Sequence, residues 1–276
     1  MNKKTLFLLI LIFLLGFLVR IWQIDKIPPG LNRDEASIGY TAYSLIKTGN
    51  DEYGKVWPLS FKSFGDWKLP LYIYLSVPFV YLLGLNDIAI RLPAVLFSSL
   101  TIFVCYFLAK ELFKNTQKLP LLAAFLFALS PWSIHLSRNA SESTVAVFLT
   151  SLGILLFLKS ANNRFYRILA PFFLALPLYT YHGNHIFSTL LFIGLALYFW
   201  KRNKSTTSYW VSIAIFAVLS FFIFSKTLFV ADKTKISGLF AIGDPSVVYE
   251  KITSDRNQHT DTPLVISTLL HNKLTF

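Results

Sequence analysis

The feature that most constrains this chain is a series of eight apolar runs. By hydropathy they cover about residues 5–24, 69–85, 89–109, 119–135, 143–158, 165–181, 185–200 and 209–231. A helix needs about 20 apolar residues, with a lower limit of about 17, to cross a bilayer. Of the 276 residues, 54% are hydrophobic and only 14% are charged, which excludes a water-soluble globule, a disordered chain and a fibrous one. The sequence therefore predicts an all-α, multi-pass membrane protein.

The formal net charge of +12 suggests nucleic acid as a partner at first sight. The lysines and arginines, however, lie in short clusters between the apolar runs, where membrane topology places them. We therefore expect a lipid bilayer, and not a nucleic acid, to be the partner of these charges. The single cysteine, Cys105, lies inside an apolar run, which excludes a disulfide framework and a cysteine-based metal cluster.

The basic clusters also predict the direction of each span. Three of them lie in alternate short connections, at residues 110–118, 159–167 and 201–204. If segment 69–85 crossed the membrane, all three would lie outside, whereas the positive-inside rule places such clusters in the cytoplasm. The sequence therefore predicts seven transmembrane helices, a cytoplasmic N-terminus, and an interfacial or re-entrant helix over 69–85 on the outer face. We interpret the first apolar segment as a retained anchor.

This topology places three loops on the extracytoplasmic side. They are the first loop, about residues 25–89, the second loop, around Arg138–Glu142, and the third loop, around His182–His185. We expect a transmembrane module over 1–231, followed by a polar outer segment over 232–276 that begins a further C-terminal region. Ionisable groups at a membrane boundary are costly, so those of the three loops are the candidates for function.

The first loop carries adjacent acidic residues at the start of a predicted helix, Asp34 and Glu35. Asn32 can cap that helix with Glu35 at its third position, which is a capping box, and both acids suit the positive end of the helix dipole. The same helix start can also aim a carboxylate into a cleft, and the two interpretations are compatible. For Lys68 and Arg91, the alternative to a binding role is a side chain that snorkels towards lipid headgroups.

The second and third loops have simple alternatives too. Arg138 and Glu142 are four residues apart, a spacing that favours an ion pair on a helix. His182 and His185 are three apart, which suggests a metal site, but two histidines without a third ligand favour hydrogen-bonding roles. We expect no metal or other cofactor to be required, although a divalent metal stays open.

Four motifs occur in a fixed order along the chain. They are Asp-Glu after the first span, Lys-x-Pro-Leu at 68–71, Arg-Leu-Pro-x-x-Leu at 91–96 and Ser-Pro at 130–131. Together they resemble the protein O-mannosyltransferase and lipid A aminoarabinose transferase group of GT-C membrane glycosyltransferases, over about residues 1–200. The resemblance implies a seven-helix module with two juxtamembrane helices in the first loop.

The resemblance also implies an activity. The chain is expected to be an inverting glycosyltransferase of the cell membrane that moves a sugar from a polyprenyl-phosphate donor to a hydroxyl of a lipid, polysaccharide or protein acceptor, on the extracytoplasmic face. By position in the motifs, the implied residues are Asp34 as general base with Glu35 as its partner, Lys68, Arg91 and Arg138 at the donor phosphate, Glu142 as the second-loop acidic residue, and His182 and His185 as auxiliary groups.

Two other classes remain as alternatives. A transporter or flippase would favour polar groups near the bilayer midplane and broken helices, whereas the mid-span positions here are apolar apart from Pro177 and Ser220. A truncated, non-catalytic protein of the GT-C type is the third possibility.

Overall fold

The helices of the chain lie where the apolar runs and the loop patterns predict them. The computed structural model describes residues 2–63, 66–114, 116, 118–160, 163–202 and 207–226, which fall in one compact unit. In chain order the elements are α1 (Lys3–Ile21), α2 (Arg33–Thr48), β1 (Phe61–Ser63), β2 (Asp66–Lys68), α3 (Pro70–Leu83), α4 (Asp87–Leu112), α5 (Lys118–Leu129), α6 (Pro131–Ser137), α7 (Glu142–Lys159), α8 (Arg164–Ala175) with a 3₁₀ turn (Leu176–Tyr179), α9 (Asn184–Arg202) and α10 (Thr207–Lys226).

Three helices among the described residues, α1, α4 and α7, are long and apolar enough to cross a membrane. The pair α5 and α6 makes a fourth if it is one broken span. The helices at the other predicted spans are apolar but shorter, over 165–179, 184–198 and 209–225. The membrane character is thus confirmed, whereas the count of seven spans is not. The predicted polar segment 232–276 lies outside the described residues.

The break between α5 and α6 has a local cause. The two helices meet at an angle of 52°. Pro131 is the first residue of α6 and lacks a backbone N–H, and a residue that precedes proline is driven out of the helical region. Ser130 accordingly has φ −59° and ψ 118°. The predicted single segment 119–135 is therefore two helices.

The first loop folds into two helices joined by a small hairpin. Helix α3 has 14 residues, a length of about 21 Å, which is shorter than the hydrocarbon core of about 30 Å. It packs against both α2 and α4. Between α2 and α3, strands β1 and β2 pair in antiparallel fashion with Phe61 opposite Lys68, a short departure from the all-α expectation.

Helix α2 lies close to α4 because a glycine allows it. A side-chain carbon at Gly39 would collide with the side chain of Ile90 on α4. Around this contact Ile38, Tyr72 and Ile90 are buried in the largest apolar cluster of this region. The close packing fixes the start of α2, and with it the acidic pair, relative to the membrane helices.

We expect Gly39→Val to destabilise the fold, because overpacking of a tight interface costs about 1–3 kcal/mol. The measurement is the melting temperature of the purified chain in mild detergent. Gly194→Val is the matched control, because a side-chain carbon at Gly194 in α9 meets no atom within 4 Å. Equal melting temperatures for the two variants would contradict the close contact between α2 and α4.

Candidate active site

The start of α2 presents its two acidic residues in different directions. The Asn32 side chain accepts hydrogen bonds from the backbone N–H groups of Asp34 and Glu35, both at 2.9 Å. The Glu35 carboxylate in turn accepts the Asn32 N–H at 3.0 Å, so the predicted capping box is present. Successive residues of a helix point about 100° apart. As a result Glu35 is only 1% exposed, whereas the Asp34 side chain is 69% exposed.

Buried Glu35 forms an ion pair with Arg91 of α4. Nε of Arg91 donates to Oε1 at 2.9 Å and Nη2 donates to Oε2 at 3.2 Å. The backbone N–H of Ala140, in the second loop, donates to the same Oε1 at 3.0 Å. Burial by itself raises the pKa of Glu35, but hydrogen bonds from Arg91, Asn32 and Ala140 and the charge of Arg91 lower it below its usual range.

Arg91 has no N–H group left over. Nη1 donates to the carbonyl oxygens of Ile24 and Pro28, at 2.7 and 3.1 Å, and Nη2 also donates to the carbonyl of Gly30. With the two bonds to Glu35, these occupy all five donors of the guanidinium. Arg91 is fully buried and fastens the chain after α1 to α4.

Asp34 makes an ion pair with Lys68, the last residue of β2. The Lys68 ammonium lies 3.2 Å from Asp34 Oδ1 and donates to the Asp34 carbonyl oxygen at 2.9 Å. Lys68 is only 7% exposed. Among the described residues these two oxygens are its partners. An ammonium has three N–H groups, so one remains for the oxygen of a ligand.

The second loop contributes a cap for α1 rather than an ion pair within one helix. Arg138 donates to carbonyl oxygens at the end of α1 and just after it, which belong to Val19, Arg20, Trp22, Gln23 and Ile27. A cation is favoured there by the negative end of the helix dipole. Burial and the positive charge of Arg91 lower the pKa of Arg138.

Glu142 begins α7, on the far side of the second loop from Arg138. Burial raises the pKa of Tyr72 well above its usual range, and the charges of Glu35 and Glu142 add to that effect. Glu142 therefore lies within electrostatic range of Tyr72.

The third loop contacts the strand that carries Lys68. Nε2 of His182 lies 3.0 Å from the carbonyl oxygen of Trp67, and Nε2 of His185 lies 2.9 Å from that of Leu178. A carbonyl only accepts, so each Nε2 carries the proton and is not a metal ligand. The described residues contain no group of three His, Cys, Asp or Glu side chains placed to hold a metal ion.

The structure thus brings Asp34, Glu35, Lys68 and Arg91 together, and His182 contacts the strand of Lys68. It also shows a buried cation that the sequence analysis missed, Arg20 near the end of α1. The available signal was an arginine within an apolar span, which is a functional candidate by default.

Comparison with known proteins identifies the family. The family model described as dolichyl-phosphate-mannose-protein mannosyltransferase matches residues 10–234. The chain belongs to this family. Its members are glycosyltransferases of the GT-C type, so the resemblance stated from the motifs is confirmed. No curated protein matches the chain in sequence.

In fold, the chain is similar to the oligosaccharyltransferase of Archaeoglobus fulgidus in its apo form. The TM-score is 0.61 at 15% sequence identity, and the match covers 82% of this chain and 30% of the oligosaccharyltransferase. The chain therefore spans about a third of that protein's length. A likeness at this identity concerns the fold, and it confirms the predicted fold class of a GT-C membrane glycosyltransferase.

We expect Glu35→Gln to lower the melting temperature at neutral pH, because breaking a buried ion pair costs about 3–5 kcal/mol. It should also flatten the acid dependence of stability. The folded pKa of Glu35 is below the ordinary value of 4.5. The Glu35 carboxylate therefore binds a proton on unfolding when the pH is near its ordinary pKa. Its contribution to the free energy of unfolding is present above that pH and is lost as the pH falls through the lowered pKa of the folded state.

The measurement is the melting temperature in detergent between about pH 7 and about pH 3. Glu111→Gln is the matched control, since that carboxylate makes a loose ion pair with Lys114 at 3.6 Å. An acid slope as steep in Glu35→Gln as in the wild type would contradict the assigned pair.

Proposed function

We propose that the chain transfers a sugar from a polyprenyl-phosphate donor to an acceptor hydroxyl, with inversion, on the extracytoplasmic face of the cell membrane. One observation carries this proposal. An exposed carboxylate, Asp34, stands 3.2 Å from a buried ammonium, Lys68, on rigid supports. Transfer from a lipid phosphate needs one group that accepts a proton and one that stabilises the departing phosphate.

Asp34 is the proposed general base. Its carboxylate takes the proton of the acceptor hydroxyl while the hydroxyl oxygen bonds to the anomeric carbon of the sugar. The bond between that carbon and the phosphate oxygen breaks, and the phosphate keeps the electron pair. The capping box of α2 holds the backbone of Asp34 in place, so that the carboxylate keeps its direction without losing access to solvent.

Lys68 is the proposed partner of the donor phosphate. Its side chain is 8% exposed, and a charge that is largely shielded from water interacts more strongly with a developing charge. When a donor binds, its phosphate takes the place of the Asp34 carboxylate at the ammonium. That exchange frees the Asp34 carboxylate to bind the acceptor hydroxyl. Asp34 therefore becomes available as a base when a donor is bound.

The other predicted residues support this pair in our proposal. Glu35 and Arg91 position the start of α2, and Arg138 fixes the end of α1. The positive charges of both arginines add to that of Lys68 at the donor phosphate. Glu142 orients the acceptor or a basic group near it. His182 positions the strand of Lys68 through the Trp67 carbonyl, and His185 has the same kind of structural role.

The family description names a dolichyl-phosphate-linked mannose donor and a protein acceptor. We propose a donor of this kind, a sugar on a polyprenyl monophosphate, and a lipid, polysaccharide or protein hydroxyl as the acceptor. The site adjoins the ends of two apolar helices, α1 and α4, so the polyprenyl tail can stay in the bilayer during the reaction. Because the ammonium of Lys68 stabilises the charge on a single phosphate, the proposed reaction requires no metal ion or other cofactor.

The test is glycosyl transfer by the purified chain. We expect polyprenyl-phosphate mannose, or another sugar on the same lipid, to release polyprenyl phosphate in the presence of an acceptor. Asp34→Asn should lower the rate by about 10²–10⁴ through loss of the base. Lys68→Met should lower it by about 10²–10³ through loss of phosphate stabilisation.

Asp25→Asn and Lys26→Met are matched controls, because both residues belong to the first loop and are exposed. Both should keep the wild-type rate and melting temperature. Asp34→Asn leaves the buried ammonium of Lys68 without its counter-charge, so rates are compared at a temperature where every variant is folded. A folded wild-type chain that releases no polyprenyl phosphate from any donor of the panel would contradict the enzyme and favour a non-catalytic relative. Transfer that does not depend on Asp34 would contradict the assigned base.

A further inference from the structure

A second candidate site lies among α4, α5, α6 and α7. It is a partly open cavity of about 170 Å³. Six of its lining side chains are hydroxyls: Ser98, Thr101, Ser130, Ser133, Ser143 and Thr144. Three of these hydroxyls already bond within the protein: Thr101 and Thr144 to backbone carbonyl oxygens, and Ser143 to Ser141. The polar end of the cavity is therefore formed by Ser98, Ser130 and Ser133, and the rest of its lining is mostly apolar.

The cavity lies against the buried cation Arg20. Nε of Arg20 donates to Oγ of Ser98 and Nη2 donates to Oγ of Ser133, both at 2.9 Å. The other donors of the guanidinium bond to the carbonyl oxygens of Gly16, Phe127 and Ala128. Arg20 is fully buried, and it belongs to none of the ion pairs formed among the described residues. All five of its donors are used, but no carboxylate of the described residues lies within ion-pair distance of its charge.

The hydroxyl groups can pass this positive charge on to a ligand. Ser98 and Ser133 both accept from Arg20, and their oxygens are 3.3 Å apart. A hydrogen bond between them uses one of their two O–H protons, so the other is left to donate into the cavity. Ser130 accepts the Ser133 N–H, and within the described part of the chain its own proton has no acceptor. Donors that are polarised by a cation favour an anionic ligand.

The opening of the cavity is lined by exposed apolar side chains. Trp132 and Val147, which line it, are 73% and 49% exposed. Tryptophan is enriched where membrane meets water. Arg20 is in the last turn of a span of 19 residues, so it lies near one edge of the hydrocarbon core. An anion that reaches this opening comes from the membrane, with an apolar tail attached.

We propose that this cavity binds the phosphate group of a membrane lipid, with the lipid tail leaving between α6 and α7 past Trp132 and Val147. The volume equals that of about five or six water molecules at about 30 Å³ each, which is enough for a phosphate group. The site is separate from the Asp34–Lys68 pair. Ser98 is seven residues after Arg91 on α4, on the same face and about 10 Å further along the helix.

The test measures lipid binding to the purified full chain in neutral detergent, by native mass spectrometry. The probes are dioctanoyl phosphatidic acid and farnesyl phosphate, and each is compared with its phosphate-free counterpart, dioctanoylglycerol or farnesol. We expect at least one phosphate probe to bind about tenfold or more tightly than its counterpart, a difference of about 1.4 kcal/mol.

Val147→Trp fills the opening from an exposed position, and we expect it to weaken that binding about tenfold or more. Leu126→Trp is the matched control, because Leu126 is 60% exposed on α5 and does not line the cavity. The double variant Ser130→Ala with Ser133→Ala removes two of the three hydroxyl donors without adding bulk, and it should also weaken the binding. It also serves as the test if Val147→Trp does not fold.

The two probes distinguish the source of the phosphate. Binding of phosphatidic acid alone assigns the cavity to a bulk phospholipid, and binding of farnesyl phosphate alone or of both assigns it to a site that polyprenyl phosphate can use. Equal binding of phosphate lipids and their counterparts, or binding that Val147→Trp and the double serine variant leave unchanged, overturns the proposal and leaves a water-filled cavity. None of these variants touches Asp34 or Lys68, so the outcome is independent of the transfer assay.

Discussion

The arrangement of the loops depends on the buried ion pair between Glu35 and Arg91. The two oxygens of this carboxylate receive N–H groups from the guanidinium, from the backbone at Asn32 and from the backbone at Ala140. The remaining donors of Arg91 hold the chain that follows α1. One pair thus joins α2, α4, the segment after α1 and the second loop. Because an uncompensated buried charge is costly, these parts keep their positions together.

The pair also explains how two adjacent acidic residues have different roles. The Glu35 carboxylate accepts hydrogen bonds from Arg91 and from the Asn32 N–H of the capping box, so its position is fixed. Asp34 shares the same rigid backbone but points elsewhere, towards Lys68 and solvent. A catalytic carboxylate needs a fixed direction and access to substrate, and the fixed direction costs conformational entropy. Here Glu35 provides the rigidity, so Asp34 can stay exposed.

Much of the fold, and part of the site, could be predicted from the sequence. Apolar runs predict the membrane helices, and Asn32 with Glu35 predicts the capping box, because both signals are local. The structural partners of Arg91 and Arg138 could not be predicted. Their partners are mostly backbone carbonyl oxygens 61 to 119 residues away, and a carbonyl oxygen carries no side-chain signature. The break at Ser130 follows from the proline after it, but a Ser-Pro pair inside an apolar run does not by itself distinguish a broken helix from a kinked one.

Three buried or half-buried arginines bind protein oxygens at the end of α1 and the start of α4. Because their N–H groups are used in this way, they help to decide which cation can bind the phosphate of the donor. Helix ends leave carbonyl oxygens without partners, and a guanidinium with five donors can satisfy several of them at once. Arg20 and Arg138 each donate to at least three backbone carbonyl oxygens. Arg91 donates to three carbonyl oxygens and to the carboxylate of Glu35. Lys68 has two protein partners for three N–H groups. Among these four cations it alone combines a spare donor with a partner, Asp34, that a phosphate can displace.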